Sequence, residues 1–222
     1  MTKSKRSRGM PRRTSQPASQ SSRTRWLLVG GAIGVMALAA VVAVLTLGPA
    51  GGPQEPAGEP LIVTGEPLPE LPAEGPDPAF GMTVPTLAGI DLDGQPMEIG
   101  PAGGAQMIVV LAHWCPHCQA ELAMLVAMID AGEIPEGVSV VGLSTAIDEL
   151  RPNYPPSAWF EREGWQQPTL IDDANSDGLQ ALGLSVFPGF VFVDAEGRVT
   201  QRMTGEVDPQ VLIQAMEAAT QG

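Results

Sequence analysis

The chain contains only two cysteines, and they lie two residues apart in the segment WCPHC at positions 114–118. An apolar run at residues 107–112 precedes this segment and predicts a buried strand, and the apolar stretch at residues 120–129 predicts a helix. A strand–CxxC–helix junction places Cys115 at a helix N-terminus, where unpaired N–H groups and the helix dipole stabilise a thiolate. Cys118 lies one turn later and is more shielded, so we expect the pair to cycle between dithiol and disulfide.

A CxxC pair also occurs in metal sites and in structural disulfides. A tetrahedral zinc site would need two further ligands, and His113 and His117 lie too close together in the chain to complete one. Haem attachment requires a histidine directly after the second cysteine, where this chain has Gln119. A structural disulfide closing so short a loop would add little stability. The sequence therefore favours a redox-active disulfide between Cys115 and Cys118, without a metal or another cofactor.

The charges of the chain are distributed very unevenly. The formal net charge of the 222 residues is −13, yet eight of the twelve basic residues lie in the first 25 positions. All 25 acidic residues lie beyond position 50. Residues 26–47 carry no charge and, at about 1.5 Å per residue, are long enough to cross a bilayer as a helix. A basic segment directly before an apolar span is better explained by membrane topology than by nucleic-acid binding.

We therefore predict a basic, disordered cytoplasmic tail at residues 1–25 and a single transmembrane helix at residues 26–47. The remainder of the chain would then lie outside the cytoplasm, at a bacterial cell membrane. A cleaved signal peptide is the rival interpretation, because Gly48 and Ala50 supply the small residues that cleavage needs.

The composition changes twice after the apolar span. Residues 48–79 contain nine prolines and six acidic residues, which predicts an extended linker. Residues 80–222 have a globular composition and are predicted to form one α/β domain. Residues 83–99 alternate apolar and polar positions around Asp93-Gly94, which predicts an N-terminal β-hairpin. The later pattern predicts, in order, a strand at 138–143, a helix at 157–163, a strand at 169–171, a helix at 176–182, and a hairpin at 189–193 and 198–203.

The last helix has a clear start signal. Asp208 is predicted to be its N-cap and Pro209 its first residue. The apolar residues predicted to share its buried face are Val211, Leu212, Ala215, Met216 and Ala219. The aromatic residues predicted to pack the crossover helix onto the sheet are Trp159, Phe160 and Trp165. The alternative is that they form an apolar patch that faces the substrate near the active site.

Residues 109–121, VVLAHWCPHCQAE, resemble the active-site segment of thioredoxin-like thiol:disulfide oxidoreductases. The WCxxC core with Glu121 three residues further on is similar to the membrane-anchored TlpA/ResA group, whereas CPHC is similar to DsbA-type oxidases. Residues 186–197, VFPGFVFVDAEG, resemble the cis-proline loop of the family and the strand and turn that follow it. The resemblance implies a thioredoxin-like fold, in which a central mixed sheet is flanked by helices.

The sequence departs from the family pattern at two positions. Val109 stands six residues before the first cysteine, where thioredoxins usually carry a buried carboxylate, so proton transfer to Cys118 must use water or another group. Phe187, before the proline, is bulkier than usual and is expected to narrow the peptide groove or to change which partners fit. Together with Trp114 and Pro188, Phe187 is expected to contact the substrate chain.

Thiol–disulfide exchange needs a nucleophilic thiolate and a resolving thiol within reach. We assign Cys115 as the nucleophile, Cys118 as the resolver, and Pro116 as the residue that permits the helix start. The ring of His117 is expected to approach the Cys115 sulfur and stabilise the thiolate, which would make the disulfide more oxidising. The alternative is a solvated histidine without effect. We interpret His113 as a rim residue.

The predicted substrates are protein thiols and disulfides. The resemblance implies a membrane redox partner, CcdA/DsbD-like for a reductase or DsbB/VKOR-like for an oxidase. CPHC favours an oxidase, whereas the anchor, the hairpin and the WCxxC-Glu context favour a TlpA-like reductase.

Two alternative functions use the same fold. A peroxiredoxin-like thiol peroxidase would need a PxxxTxxC motif, which is absent before Cys115. A copper(I) chaperone would use Cys115, Cys118 and His117 as ligands.

Overall fold

The computed structural model describes residues 60–222 of the chain. The strands are β1 (Ile62–Thr64), β2 (Thr86–Ile90), β3 (Pro96–Ile99), β4 (Ala105–Leu111), β5 (Val138–Ser144), β6 (Thr169–Ile171), β7 (Gly189–Val193) and β8 (Val199–Thr204). The helices are α1 (Pro116–Asp130), α2 (Pro156–Glu163), α3 (Asp177–Ala181) and α4 (Pro209–Ala219). Within this range no helix has the length and apolar character needed to span a bilayer. The predicted tail and transmembrane helix lie outside the described residues.

The central sheet has five strands in the order β6-β5-β4-β7-β8. β5 runs parallel to β4 and β6, whereas β7 is antiparallel to β4 and to β8. Every residue of β4 is buried, as expected for a central strand that is covered on both faces. This mixed sheet confirms the predicted thioredoxin-like α/β fold.

Alternate residues of β4 belong to two hydrophobic cores. The first core joins Met107, Val109 and Leu111 to residues of α1, α2 and α4. The second core joins Ile108 and Val110 to residues of β2, β3 and α3. Because side chains of a strand alternate between faces, α1, α2 and α4 cover one face of β4, whereas β2, β3 and α3 cover the other.

Most of the predicted helix packing is confirmed. Trp159, Phe160 and Trp165 are all buried in the first core. Asp208 caps α4 by accepting a hydrogen bond from the N–H of Gln210 at 2.8 Å. The α4 residues that are buried as predicted are Leu212, Ala215, Met216 and Ala219. Val211, predicted on the same face, is instead 42% exposed, because it lies about 100° around the helix from Leu212.

The packed chain begins earlier than the predicted boundary at residue 80. β1 pairs with β2 in antiparallel register, so the predicted hairpin is part of a three-stranded sheet, β1-β2-β3. Leu61 and Leu68 are buried in the second core. Residues 60–79 therefore differ from the predicted linker, because scattered apolar residues among the prolines anchor this segment to the core. The linker residues before position 60 lie outside the described range.

A buried arginine also holds this segment. The side chain of Arg202 in β8 is fully buried and forms an ion pair with the Asp77 carboxylate, with Nε 3.0 Å from Oδ2. It also donates hydrogen bonds to the backbone carbonyls of Pro69, Leu182 and Gly183. Burial alone would raise the pKa of Asp77, but hydrogen bonds from Arg202 and from the backbone lower it overall. Because breaking such a buried pair would leave an uncompensated charge, the pair holds residues 69–77 firmly against β8.

Candidate active site

α1 begins directly after Cys115, which is its N-cap and has extended backbone angles. Pro116 is the first helical residue, where its missing N–H is not needed. Cys115 therefore lies at the predicted helix start, beside the unpaired N–H groups of the first helical turn. It is 6% exposed, less than expected for an exposed nucleophile, whereas Cys118 is fully buried. Both are free thiols, so the structure describes the dithiol form of the predicted pair.

The burial of Cys118 controls its chemistry. Its sulfur accepts a weak hydrogen bond from the N–H of Ala112 at 3.4 Å. Burial raises the pKa of the Cys118 thiol far above its ordinary value, and the nearby Cys115 and Glu121 raise it further. The Cys118 thiol therefore keeps its proton unless a base removes it.

Glu121 provides a buried carboxyl group near Cys118, although position 109, where thioredoxins usually carry one, is a valine. It follows Cys118 by three residues on α1 and is only 3% exposed. Its Oε2 accepts a 3.4 Å hydrogen bond from the N–H of Val207, and its Oε1 has no hydrogen-bond partner among residues 60–222. Burial raises the pKa of Glu121 to about 7, and the negative charge of Glu206 contributes to the rise. Glu121 can therefore take up or release a proton near neutral pH.

Sequence reasoning noted Glu121 only as part of the family resemblance and gave it no role. The i, i+3 spacing from Cys118 to Glu121 on a helix was the available signal, because it places both side chains on one face. The spacing does not reveal that this face is buried, and burial is what shifts the carboxyl pKa.

His117 does not make the predicted contact with a sulfur. Its Nδ1 lies 2.6 Å from Oε1 of Glu206, and the two side chains are 70% and 54% exposed. Within residues 60–222, its ring hydrogen-bonds to Glu206 and to neither Cys115 nor Cys118. The loop between β8 and α4 brings Glu206 to this position from 89 residues further along the chain.

His113 is not a rim residue, because its side chain is fully buried. Its Nδ1 lies 2.8 Å from the Pro152 carbonyl oxygen, and its Nε2 lies 3.3 Å from the Asp148 N–H nitrogen. A carbonyl only accepts and a backbone N–H only donates, so these partners select the neutral ring with its proton on Nδ1. Burial lowers the pKa of His113, although Pro152 and Asp148 oppose the shift. His113 thus fastens the loop at residues 148–152 to the segment that contains Cys115.

Trp114 is held by three other parts of the chain. Its Nε1 donates a 2.7 Å hydrogen bond to the Ala146 carbonyl. The guanidinium of Arg151 lies 4.5 Å from the centre of its ring, and the ring of Phe187 meets it edge-on at 5.5 Å. A flat aromatic surface is therefore fixed next to Cys115.

The Phe187–Pro188 peptide bond is cis, as the resemblance implied. The Phe187 carbonyl oxygen lies 3.9 Å from the Cys115 sulfur. A cavity of about 350 Å³ opens beside this loop. Its lining residues are His117, Val186, Phe187, Pro188, Gly205 and Glu206. Phe187 therefore contacts the Cys115 sulfur through its carbonyl oxygen and also lines the cavity.

The predicted copper ligands are not gathered at one point. Cys118 is fully buried, and the ring of His117 is occupied by Glu206. Over residues 60–222, no group of three or more His, Cys, Asp or Glu side chains is arranged to hold a metal ion.

The relative positions of these elements define a class of protein. A cysteine pair begins the helix after a central strand, and a cis-proline loop lies against the first cysteine, as in thioredoxin-like oxidoreductases. The family comparison narrows this class: the Redoxin family model matches residues 78–219, more than half of the chain. The chain therefore belongs to the Redoxin family.

Several known proteins are similar to this chain. The thiol:disulfide interchange protein DsbE of Escherichia coli K12 is 28% identical over 151 residues, which cover 63% of this chain and 76% of DsbE. A putative DsbE from Chlorobium tepidum has a solved structure with a TM-score of 0.53 and 18% identity, covering 63% of this chain and 96% of that one. The structure of StoA from Bacillus subtilis has a TM-score of 0.50 and 16% identity, and the match covers 62% of this chain and 98% of StoA. At these identities, the two structures show a shared fold.

Proposed function

We propose that this protein is a thiol:disulfide oxidoreductase of the DsbE/ResA/TlpA type that exchanges disulfides with protein substrates through Cys115 and Cys118. The asymmetry of the two thiols is the observation that carries the proposal. Cys115 is the N-cap of α1 and its sulfur lies 3.9 Å from the Phe187 carbonyl oxygen, whereas Cys118 is fully buried near the carboxyl group of Glu121. One sulfur can meet a substrate, and the other can only resolve the product.

In the reducing direction, the Cys115 thiolate attacks one sulfur of a substrate disulfide. A mixed disulfide forms, and the other substrate sulfur leaves as a thiolate that takes up a proton. Glu121 then accepts the proton of Cys118, whose thiolate attacks the Cys115 sulfur. The second substrate thiol is released and a Cys115–Cys118 disulfide remains, so two electrons have passed to the substrate. Oxidation of a substrate dithiol is the same sequence in reverse.

The substrate chain would lie along the cis-proline loop. Phe187 and Pro188 offer backbone groups beside the nucleophile, and Trp114 offers a fixed aromatic surface. The adjacent cavity of about 350 Å³ is large enough for a side chain of the substrate. These contacts support the assignment of all three residues to substrate binding.

We propose that the physiological direction is reduction. Negative charge near a thiolate destabilises the reduced form of the pair, which makes the dithiol a better reductant. Glu121 supplies such a charge next to Cys118, and Glu206 engages the histidine that would otherwise favour a thiolate. The uncharged residues 26–47 support a membrane anchor with the catalytic domain outside the cytoplasm, where disulfides persist. A CcdA/DsbD-like membrane protein would supply the electrons.

Disulfide reduction by the full chain in detergent tests the proposal, with insulin as substrate and dithiothreitol as electron source. We expect Cys115→Ser to abolish catalysis. Cys118→Ala should accumulate mixed disulfides with substrate proteins, because the resolving thiol is missing. Adding Cys115→Ser to Cys118→Ala should remove these adducts. Catalysis that survives in Cys115→Ser would contradict the proposal.

A further inference from the structure

We propose that Glu206 is a positioning residue that holds His117 away from Cys115 and so makes the Cys115–Cys118 disulfide less oxidising than its CPHC sequence predicts. The inference rests on the proposed function, because it concerns the redox equilibrium of the same pair. It assigns a role to a residue outside the CxxC segment and outside the cis-proline loop.

Three consecutive residues after β8 each contact a different part of the site. The N–H of Gly205 donates a 2.8 Å hydrogen bond to the Pro188 carbonyl. The Glu206 carboxylate binds the His117 ring, and the N–H of Val207 donates a 3.4 Å hydrogen bond to Glu121. The backbone on both sides of Glu206 is therefore fixed by hydrogen bonds, which holds the Glu206 side chain in position to contact His117.

The contact between the two side chains is close. The distance from Nδ1 of His117 to Oε1 of Glu206 is 2.6 Å, which is short enough for a direct hydrogen bond. Both residues line the cavity beside Pro188. The ring of His117 is thus paired with Glu206 in the lining of the cavity, while the Cys115 sulfur lies 3.9 Å from the Phe187 carbonyl oxygen.

The effect on the redox equilibrium has the same sign in either protonation state of His117. When the ring is charged, Glu206 neutralises it; when the ring is neutral, Glu206 leaves a net negative charge. At fixed protonation, replacing Glu206 by glutamine makes the neighbourhood of Cys115 one unit more positive and frees the ring to turn toward the sulfur. A more positive neighbourhood stabilises the thiolate, and with it the reduced form. The disulfide of the variant is then the stronger oxidant.

The size of the effect is limited by solvent. The side chains of His117 and Glu206 are 70% and 54% exposed, so water and salt screen their interaction with the sulfur. We therefore expect a change of a few-fold in the equilibrium constant rather than the large change that a buried pair would give.

The test measures the equilibrium of the full chain in detergent with reduced and oxidised glutathione, at the same pH for every variant. Wild type, Glu206→Gln, His117→Ala and the double variant form a cycle. We expect Glu206→Gln to shift the equilibrium roughly three-fold toward the dithiol, which equals a potential about 14 mV less negative. Alkylation of Cys115 by iodoacetamide should accelerate by a similar factor.

Two comparisons make the result specific. Glu136→Gln changes the net charge equally, but the exposed Glu136 precedes the N-terminal end of β5, whereas Cys115 follows the C-terminal end of the parallel strand β4, so the equilibrium should stay unchanged. Glu206 also raises the pKa of Glu121, a route that does not involve His117. The double variant separates the routes, since the shift caused by Glu206→Gln should fall to less than half when His117 is alanine.

An absent shift in Glu206→Gln would overturn the inference, and so would an equal shift with and without His117. In either case the exchange activity of Cys115 would still stand. A wild-type protein that forms no Cys115–Cys118 disulfide would overturn both this inference and the proposed function.

Discussion

The two histidines of this chain lie four residues apart on either side of Cys115, yet their surroundings are opposite. His113 is fully buried, and the carbonyl and N–H groups at its two ring nitrogens select the neutral form. His117 is mostly exposed and paired with the carboxylate of Glu206. One ring holds a loop in place, and the other is available to influence the charge around the nucleophile. Residue type and sequence position alone therefore do not assign a histidine its role.

The largest effect is expected for substitution of Glu121, because neither histidine is placed to accept the proton of Cys118. Glu121 has a pKa of about 7 and lies next to Cys118, so we assign it the proton transfer of the resolving step. Glu121→Gln should lower the rate of that step about 100-fold. In the wild type the rate should rise as pH increases through about 7, because the carboxylate must be deprotonated to accept the proton.

Stopped-flow measurement of the resolving step across this pH range checks the prediction. Glu136→Gln serves as the control, because it removes a carboxylate remote from the site. If Glu121→Gln kept the wild-type pH profile, one of the histidines or water, and not Glu121, would be the proton acceptor.

The second prediction compares the same substitution at both histidines. His113→Ala removes two hydrogen bonds from a buried site and leaves a cavity, so the free energy of unfolding should fall by about 2 kcal/mol or more. His117→Ala removes an exposed pair and should lower it by less than about 1 kcal/mol. Urea denaturation followed by circular dichroism measures both. Equal losses would mean that the burial of His113 contributes nothing to stability.

A smaller effect should appear in the pH dependence of stability. The pKa of His113 is lowered in the folded protein from its ordinary value of 6.5. The stability that the neutral ring contributes is fully present above that ordinary value and is lost as pH falls through it toward the lowered value. Between about pH 7.5 and about pH 5, His113→Gln should therefore lose less stability than the wild type.

Unfolding free energies at the two pH values test this prediction, with His117→Gln as the matched control. Glu121 has the opposite slope, because a carboxyl group with a raised pKa loses stability as pH increases toward 7. That contribution is common to both histidine variants and cancels in the comparison. A His113→Gln variant as acid-sensitive as the wild type would show that the ring does not remain neutral.

The smallest expected effect concerns the cation–π contact on Trp114. Arg151→Gln removes a partly exposed guanidinium from the face of the ring and should lower the unfolding free energy by less than about 1 kcal/mol. The loop should keep its position, because His113 rather than Arg151 fastens it. Amide hydrogen exchange at residues 148–152 would check this. Faster exchange in Arg151→Gln than in His113→Ala would reverse the order of importance.

The elements around the site were predictable where the signal is local. The apolar runs before and after the CxxC segment correspond to β4 and α1, and Asp208 caps α4 as its position before Pro209 suggested. Cys115 therefore occupies the predicted helix start. Apolar periodicity and capping residues act within a few positions of the chain, so their outcome can be read from a short stretch of sequence.

The interactions of the site side chains were not predictable in this way. Glu206 meets His117 from 89 residues away, and Asp148 and Pro152 meet His113 from 35 and 39 residues away. Because of these contacts, His113 is buried instead of lying at the rim, and His117 contacts Glu206 instead of Cys115. No periodicity or spacing in the sequence records which loop will pack against which segment.

The sequence by itself determined where the cysteine pair lies and which strand and helix hold it, and the family resemblance identified the cis-proline of the neighbouring loop. Only the tertiary structure decided that Glu121 is buried, that Glu206 engages His117, and that Arg202 draws residues 60–79 into the fold. The physical reason is the range of the forces involved: backbone preferences act between neighbours, whereas desolvation and ion pairing depend on groups that meet only after the chain has packed.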